Sequence, residues 1–300
     1  MLDQQVGTSP LSLGASLYVP ATRSDLSEIA SQQKIPGLRS VIFCLEDAVR
    51  SDDLPRAIAN IRRMCSTLTP GRMHRFVRVR NPEVLRSLCN VDGIDRLTGF
   101  VLPKLTREVL GDYLNALPSA SDHLLMPTLE TAEVFDADHM KRLRDELLLK
   151  CEGRILSLRI GGNDLLQCLG LRRGSGRTIY ETPLGPVITQ LITTFHPYGL
   201  NLTAPVFDRM DCNATLKREV QTDVEFGLIG KTAIHPSQIR VIEDQYLVDQ
   251  HELESAEEIL RVDAPAVFRH ANTMCEPATH RAWAERIRLR SEIYGIAHRQ

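Results

Sequence analysis

Short apolar runs recur along the first 245 residues, and between them apolar positions return every three or four residues. The runs are ASLYV (15–19), SVIFCL (40–45), RFVRV (75–79), GFVLP (99–103), HLLMPT (123–128), RILSLRI (154–160), LNLTAP (200–205) and FGLIGK (226–231). Their length and near-continuous apolar character fit strands buried on both faces. The intervening periodicity predicts helices over Ser24–Gln33, Leu54–Ser66, Pro82–Leu88, Thr106–Leu117, Thr131–Lys150, Asn163–Leu169, Pro186–Phe195, Thr215–Glu225 and Pro236–Gln245. Strands alternating with helices call for a parallel sheet. Eight such units in this length suit a closed (β/α)8 barrel, which usually takes about 250 residues. An open doubly wound sheet would more often carry a G-x-G-x-x-G turn after its first strand. Here the first strand runs into VPATR, and no short internal repeat is present.

The expected organisation is therefore a TIM-barrel catalytic domain over residues 1–245 and a different segment over 246–300. The latter holds two charged helical stretches, HELESAEEILRV and THRAWAERIRLRSEIYG, around a loop-like patch at Asp263–Pro277. It is too short to build much core of its own and reads as a helical lid or an oligomerisation arm.

Composition narrows the function classes. The chain is 43% hydrophobic and 25% charged with a formal net charge of −2, which is ordinary for a globular protein. That balance offers no electrostatic attraction to nucleic acid. No run of about 18 apolar residues predicts a membrane span. The opening MLDQQVGTSPLSLG lacks the basic and apolar regions of a signal peptide, so a cytoplasmic location is expected. The seven cysteines are scattered without a C-x-x-C pair, as reduced thiols would be. Cys44 lies inside a strand run and reads as core.

Charge collects where a barrel keeps its chemistry, at the carboxyl ends of the strands. Arg23 ends the first strand, Glu46 and Asp47 the second, Arg78 and Arg80 the third and Lys104 the fourth. Glu130 ends the fifth and Asp164 the sixth, while the eighth runs into Lys231 and His235. Two carboxylates on successive strand ends over one mouth make a site for a hard divalent cation with positions left for substrate oxygens. A guanidinium nearby can stabilise an oxyanion, and a further acid or base can move a proton. Each residue also has a plainer use. Glu130 could cap the next helix, Asp164 could close an Asx turn, and Arg78 and Arg80 could pair with Glu46 and Asp47. His235 could merely begin a helix. The basic loop LRRGSGRT (171–178) lacks P-loop spacing and reads as a mobile surface loop.

Taken together, LYVPATRSDL, SVIFCLEDAV, FVRVRNPE, GFVLPK, LLMPTLETAE, LRIGGNDLLQCLG and FGLIGKTAIHPSQI resemble the citrate lyase beta-subunit-like family. That family belongs to the HpcH/HpaI aldolase group of phosphoenolpyruvate/pyruvate-type barrels. The GGNDLLQ stretch also resembles the GTNDL turn of pyruvate-phosphate dikinases. The resemblance implies a Mg2+-dependent carbon–carbon lyase on a TIM barrel, with Glu130 and Asp164 as metal ligands. It implies that Arg78 meets the substrate carbonyl, that Glu46 and Asp47 support the site, and that Arg23 lies near substrate or coenzyme phosphate. Arg80, Lys104 and His235 are further candidate substrate or cofactor contacts. AVFRHANTMCEP (266–277) resembles a lid segment whose acid acts in a neighbouring subunit, and with Phe268 and Met274 in register that acid is Glu276.

The expected reaction is retro-aldol or Claisen-type cleavage, or the reverse condensation, of a β-hydroxy acid or its acyl-CoA thioester, giving an α-keto acid such as oxaloacetate, pyruvate or glyoxylate. Coenzyme A would enter as part of the substrate, and a homotrimer or homohexamer is implied. An aldolase of free hydroxy-keto acids without coenzyme A, and a non-catalytic barrel that binds a small acid, are the alternatives. Arg80 stands where the family often has Asn, Asn163 replaces an acid beside Asp164, and the lid lacks the family's glycine.

Overall fold

The computed structural model describes residues 9–151 and 153–297. Residues 1–8, on which the leader reading partly rests, and the last three of the C-terminal segment lie outside them. The described chain falls into two compact units. One is Leu13–Ile242, and the other is the chain from Glu243 onward with the described residues before Leu13.

The first unit carries eight strands: β1 (Gly14–Pro20), β2 (Ser40–Cys44), β3 (His74–Arg78), β4 (Gly99–Leu102), β5 (Leu124–Leu129), β6 (Leu158–Ile160), β7 (Leu202–Thr203) and β8 (Gly230–Ala233). All pair in parallel, in the order β7-β6-β5-β4-β3-β2-β1-β8. The ring closes where Ala204 N–H donates to Gly230 O at 2.7 Å and Ile229 N–H to Leu202 O at 3.0 Å. Around it run α1 (Leu26–Ala30), α2 (Leu54–Thr67), α3 (Pro82–Leu88), α4 (Arg107–Ala116), α5 (Ala137–Lys150), α6 (Gly162–Cys168), α7 (Leu184–Phe195), α8 (Asn213–Glu225) and α9 (Pro236–Glu243). The expected TIM barrel is the fold. Val41, Ile42, Phe43, Phe76, Val77, Phe100 and Val101 are fully buried on their strands, as a sheet covered on both faces requires.

Two boundaries differ from the sequence reading for identifiable reasons. The stretch 131–150 is not one helix. A 3-10 turn over Ala132–Phe135 stops at Asp136, whose side chain caps α5 by accepting from the N–H groups of Asp138 (2.8 Å) and His139 (3.1 Å). The run 226–231 is not all strand either. Gly227 takes a left-handed φ of 78° and ends α8, with Gly227 N–H donating to Val224 O and Leu228 N–H to Asp223 O. This helix-ending motif uses the first residues of the run.

Strand β8 consequently starts at Gly230, and Lys231 is mid-strand rather than at the mouth. Its ammonium, fully buried, meets Glu219 (2.8 Å) and Asp223 (2.9 Å) of α8. Lys231 is therefore a strand-to-helix tie and not a site residue. Glu219 also accepts from Arg173 Nη1 at 2.8 Å, and Arg173 Nη2 donates to Val206 O. The basic loop 171–178, expected as a mobile surface segment, is pinned by this buried arginine.

The second unit holds α10 (Gln250–Leu260), a hairpin of β9 (Phe268–His270) and β10 (Thr273–Cys275), and α11 (Pro277–Tyr294). The patch 263–277, expected as loop, thus contains a two-stranded ribbon turned by Ala271 and Asn272 with positive φ. Val248, Leu253, Ala256, Ile259, Cys275, Ala284 and Ile287 form its small core. Among the described residues no helix is long and apolar enough to cross a membrane.

Removing the buried ammonium leaves two acids without their shared counter-charge. Lys231→Met should destabilise the protein by about 3–5 kcal/mol at pH 8, read by urea denaturation. The loss should shrink at pH 5. Burial, with Glu219 adding to it, pushes the Asp223 carboxyl up to about 6 even with Lys231 present, and a protonated acid needs no partner.

Candidate active site

A cavity of about 350 Å³ opens in the barrel unit, lined among others by Tyr18, Asp47, Arg78, Thr128, Glu130, Arg159, Asp164 and Thr232. This is a usual size for a small-molecule site. Its charge centre is Arg78, the last residue of β3. The guanidinium is nearly buried, and three acids surround it. Its Nε and Nη2 donate to Glu46 Oε2 at 3.0 and 2.6 Å. Nη2 also reaches Glu130 Oε1 at 3.0 Å and Asp47 Oδ2 at 3.3 Å. Burial opposes the charge on Arg78, but the adjacent acids and Tyr18 outweigh it.

Glu130 is the most enclosed acid of the group, 2% exposed. It does not cap the following turn, whose N-cap is Thr131. Its Oε1 instead accepts from Arg78 and from the backbone N–H of Lys104 at 2.8 Å. Lys104 can aim that N–H because its φ is +48°, in the left-handed region, a backbone cost that persists where other contacts enforce it. Oε2 of Glu130 is buried without a hydrogen-bond partner. Burial pushes the carboxyl up to about 7; Arg78 pulls it down and Asp164 pushes it further up.

Asp164 sits in the first turn of α6, half-buried on the cavity wall. Gly161, just before α6, packs closely against Glu130. A Cβ there would overlap Glu130 Cβ and lie 2.5 Å from Oε2. The requirement is for space, since the φ of Gly161 is −85°. Two neighbouring carboxylates, one with a buried unused oxygen, fit a hard divalent cation. Among the described residues no three His, Cys, Asp or Glu side chains are arranged to hold a metal together, so a cation held by this pair would keep positions for substrate oxygens.

The second-strand acids behave as a pair. Burial would raise Glu46, but its contacts with Asp47, Arg78 and Lys104 prevail and hold it at about 2. Asp47, exposed on the rim, is shifted upward by partial desolvation and by Glu46 beside it. Lys104 Nζ bridges the two, 2.5 Å from Glu46 Oε1 and 3.2 Å from Asp47 Oδ1.

The structure thus brings together Arg78, Glu46, Asp47, Lys104, Glu130 and Asp164. The other candidates stand elsewhere. Arg23 is exposed and pairs with Asp25 at 2.8 and 2.6 Å, off the cavity wall. Arg80 points its guanidinium at the carbonyls of Leu45, Glu46 and Val49, bracing the loop that carries the second-strand acids. His235 is exposed, its Nδ1 2.8 Å from Ser237 Oγ and accepting from Ser237 N–H, as a residue that begins a helix does. Glu276 belongs to the C-terminal unit, half-buried at the start of α11, and accepts from Thr279 Oγ1 at 3.2 Å.

Tyr18, Thr128, Arg159 and Thr232 line the cavity without having been singled out from the sequence. They lie inside strands rather than at their ends. The available signal was a polar or charged residue interrupting an apolar run, most plainly Arg159 in LSLRI.

The family model for carbon–carbon bond lyases of the TIM-barrel fold matches residues 7–296. The chain belongs to that family. Among its relatives, the (3S)-malyl-CoA thioesterase of Cereibacter sphaeroides ATCC 17029 is 25% identical over 244 residues, covering 80% of this chain and 79% of that protein. A citrate lyase of Burkholderia xenovorans LB400 superposes with a TM-score of 0.74 at 17% identity, covering 98% of each chain. CitE of Mycobacterium tuberculosis, solved with magnesium, acetoacetate and coenzyme A, superposes with a TM-score of 0.69 at 20% identity over 94% of this chain and 99% of that one. At these identities the two superpositions establish the shared barrel.

Gly161→Ala tests the close approach. It should destabilise the protein by about 1–3 kcal/mol, the usual cost of overpacking, in a urea titration. An unchanged midpoint would mean that Glu130 can retreat freely.

Proposed function

We propose that this chain is a Mg2+-dependent carbon–carbon lyase that splits a β-hydroxy acid or its acyl-CoA thioester, or runs the reverse condensation, with an α-keto acid as one product. The observation that carries this reading is the unused, buried Oε2 of Glu130 beside Asp164, within the charge cluster of Arg78. Glu130 and Asp164 would hold the cation. CitE of M. tuberculosis, of the same fold, has been crystallised with magnesium and small acids, which supports the choice of metal. Bound there, Mg2+ supplies Lewis-acid polarisation of a carbonyl oxygen.

The chain's own residues do the rest. Arg78 presents a charge locked in place by Glu46, and an oxygen that becomes negative during cleavage can take Nη1, which otherwise has only a long contact of 3.5 Å to Tyr18 Oη. Glu46 positions that guanidinium and stays ionised. Asp47 has its carboxyl on the cavity wall and shifted upward, so it can carry a proton at the rim. Glu276 is a second proton carrier on this reading, supplied by a neighbouring chain of a homo-oligomer. Its support is the register with Phe268 and Met274, where Met274 is 59% exposed on the hairpin.

Two measurements test the proposal. Titration calorimetry should show Mg2+ binding to the wild type and none to Glu130→Gln or Asp164→Asn. Undiminished binding in both variants ends the metal assignment. Because burial lifts the Glu130 carboxyl to about 7, the cation competes with a proton, and its affinity should drop about tenfold between pH 8 and pH 6.

The reaction is read separately, by incubating the protein with Mg2+ and malyl-CoA or citryl-CoA. Release of acetyl-CoA with an α-keto acid supports the lyase. Free coenzyme A with the intact hydroxy acid would instead mark a thioesterase, the activity for which the C. sphaeroides relative is named.

A further inference from the structure

Four arginines of the barrel unit are deeply buried, and three have partners for their charge or for most of their donors. Arg78 lies among Glu46, Asp47 and Glu130. Arg173 pairs with Glu219, and Arg75 donates to the carbonyls of Ala30 and Thr69. Arg159, mid-way along β6 and 3% exposed, differs. It has no ion pair among the described residues. Its Nη2 donates to Thr232 Oγ1 of β8, its guanidinium carbon stands 5.4 Å from the ring centre of Tyr18, and its Nη1 is buried with no hydrogen-bond partner. A hydroxyl and an aromatic face do not neutralise a buried charge.

The neighbourhood repeats the deficit. Thr128 of β5 is in register with Arg159, and its Oγ1 is also buried without a partner. Arg159, Thr128 and Glu130 all belong to the wall of the same cavity. One wall therefore holds an unused oxygen suited to a cation and unused donors suited to an anion. Tyr18 stands between the two regions, its hydroxyl 3.5 Å from Arg78 Nη1 and its ring under Arg159.

We propose that Arg159, with Thr128 and Thr232, forms an anion subsite that takes the far carboxylate of a two-ended acid whose keto or hydroxy end occupies the Glu130–Asp164 end of the cavity. The second half of this statement rests on the metal reading above; the subsite itself does not. A carboxylate accepts from the guanidinium and from a hydroxyl while cancelling the buried charge. A thioester carbonyl, being neutral, would satisfy the donors and leave the charge. The cavity of about 350 Å³ suits an acid of about four to six carbons. Arg159 thus selects diacids over monoacids of the same head group.

Two arms keep the subsite and the metal reading apart. In EDTA, millimolar succinate should raise the melting temperature of the wild type measurably, and that of Arg159→Met by less than a third as much. Equal shifts overturn the subsite. With Mg2+ present, calorimetry with 2-oxoglutarate and oxaloacetate against 2-oxobutyrate and pyruvate should give a diacid preference of at least tenfold. That ratio should fall at least fivefold in Arg159→Met and recover in part in Arg159→Lys. A wild-type ratio near one, or a ratio unchanged in Arg159→Met, also overturns it. If keto acids bind without any Mg2+ dependence while the succinate arm behaves as stated, the metal reading fails and the subsite stands. Should Arg159→Met not fold, Thr232→Val takes its place in both arms, since it removes the hydroxyl that holds the guanidinium.

Discussion

The mouth of this barrel is organised by one buried guanidinium. Arg78 ends β3 and holds carboxylates from the second and fifth strand ends at once. A lone buried acid would recover its neutrality by taking a proton, and a lone buried arginine would carry its desolvation cost uncompensated. Together they stay charged, with Lys104 contributing a backbone N–H from the fourth strand end and an ammonium above the pair on the second. Three of the contributing strands are sequence neighbours in the ring, and β5 follows directly. Parallel pairing delivers all of their ends to one rim, which is why a single cation can gather them.

The same network also leaves something undone. Glu130 gives one oxygen to Arg78 and Lys104 and keeps the other buried and unpartnered, with Asp164 adjacent. An acid in that state is poised between protonation and binding a cation, and burial is what brings its carboxyl near neutrality. Across Tyr18, Arg159 shows the complementary state, a cation lacking an acid. A wall that carries both unfinished charges is built for a ligand that finishes them, because the folded chain alone gains nothing from either.

Away from the cavity the protein answers the same electrostatic problem with paired charges. Lys231, Glu219, Asp223 and Arg173 are all buried and each has its opposite charge within reach. Tyr180 adds a hydrogen bond to Asp223 at 2.5 Å. The network ties β8 to α8 and pins the 171–178 loop, and no oxygen of Glu219 is left to spare. The contrast separates structural charge from candidate functional charge better than residue type does.

Much of this was legible in the chain. Eight apolar runs alternating with amphipathic stretches specify a parallel sheet, because only strands covered on both faces tolerate such continuous hydrophobicity, and their number suits a barrel. Acids and bases that interrupt the pattern just after a run must fall on one rim, so Glu46, Asp47, Arg78, Lys104, Glu130 and Asp164 could be named as a group. What the pattern could not carry was direction and commitment. A shift of a few residues at Gly227 turned Lys231 from a strand-end residue into a tie beneath α8. Arg80, two residues from Arg78, spends its donors on the loop over Leu45–Val49. Arg159 looked like an irregularity in a strand until the ring closed and set Tyr18 and Thr232 against it. Local periodicity fixes which residues alternate and where elements break. Which side chain meets which, and which charge is left without an answer, depends on strands far apart in sequence being brought into register, and only the closed barrel does that.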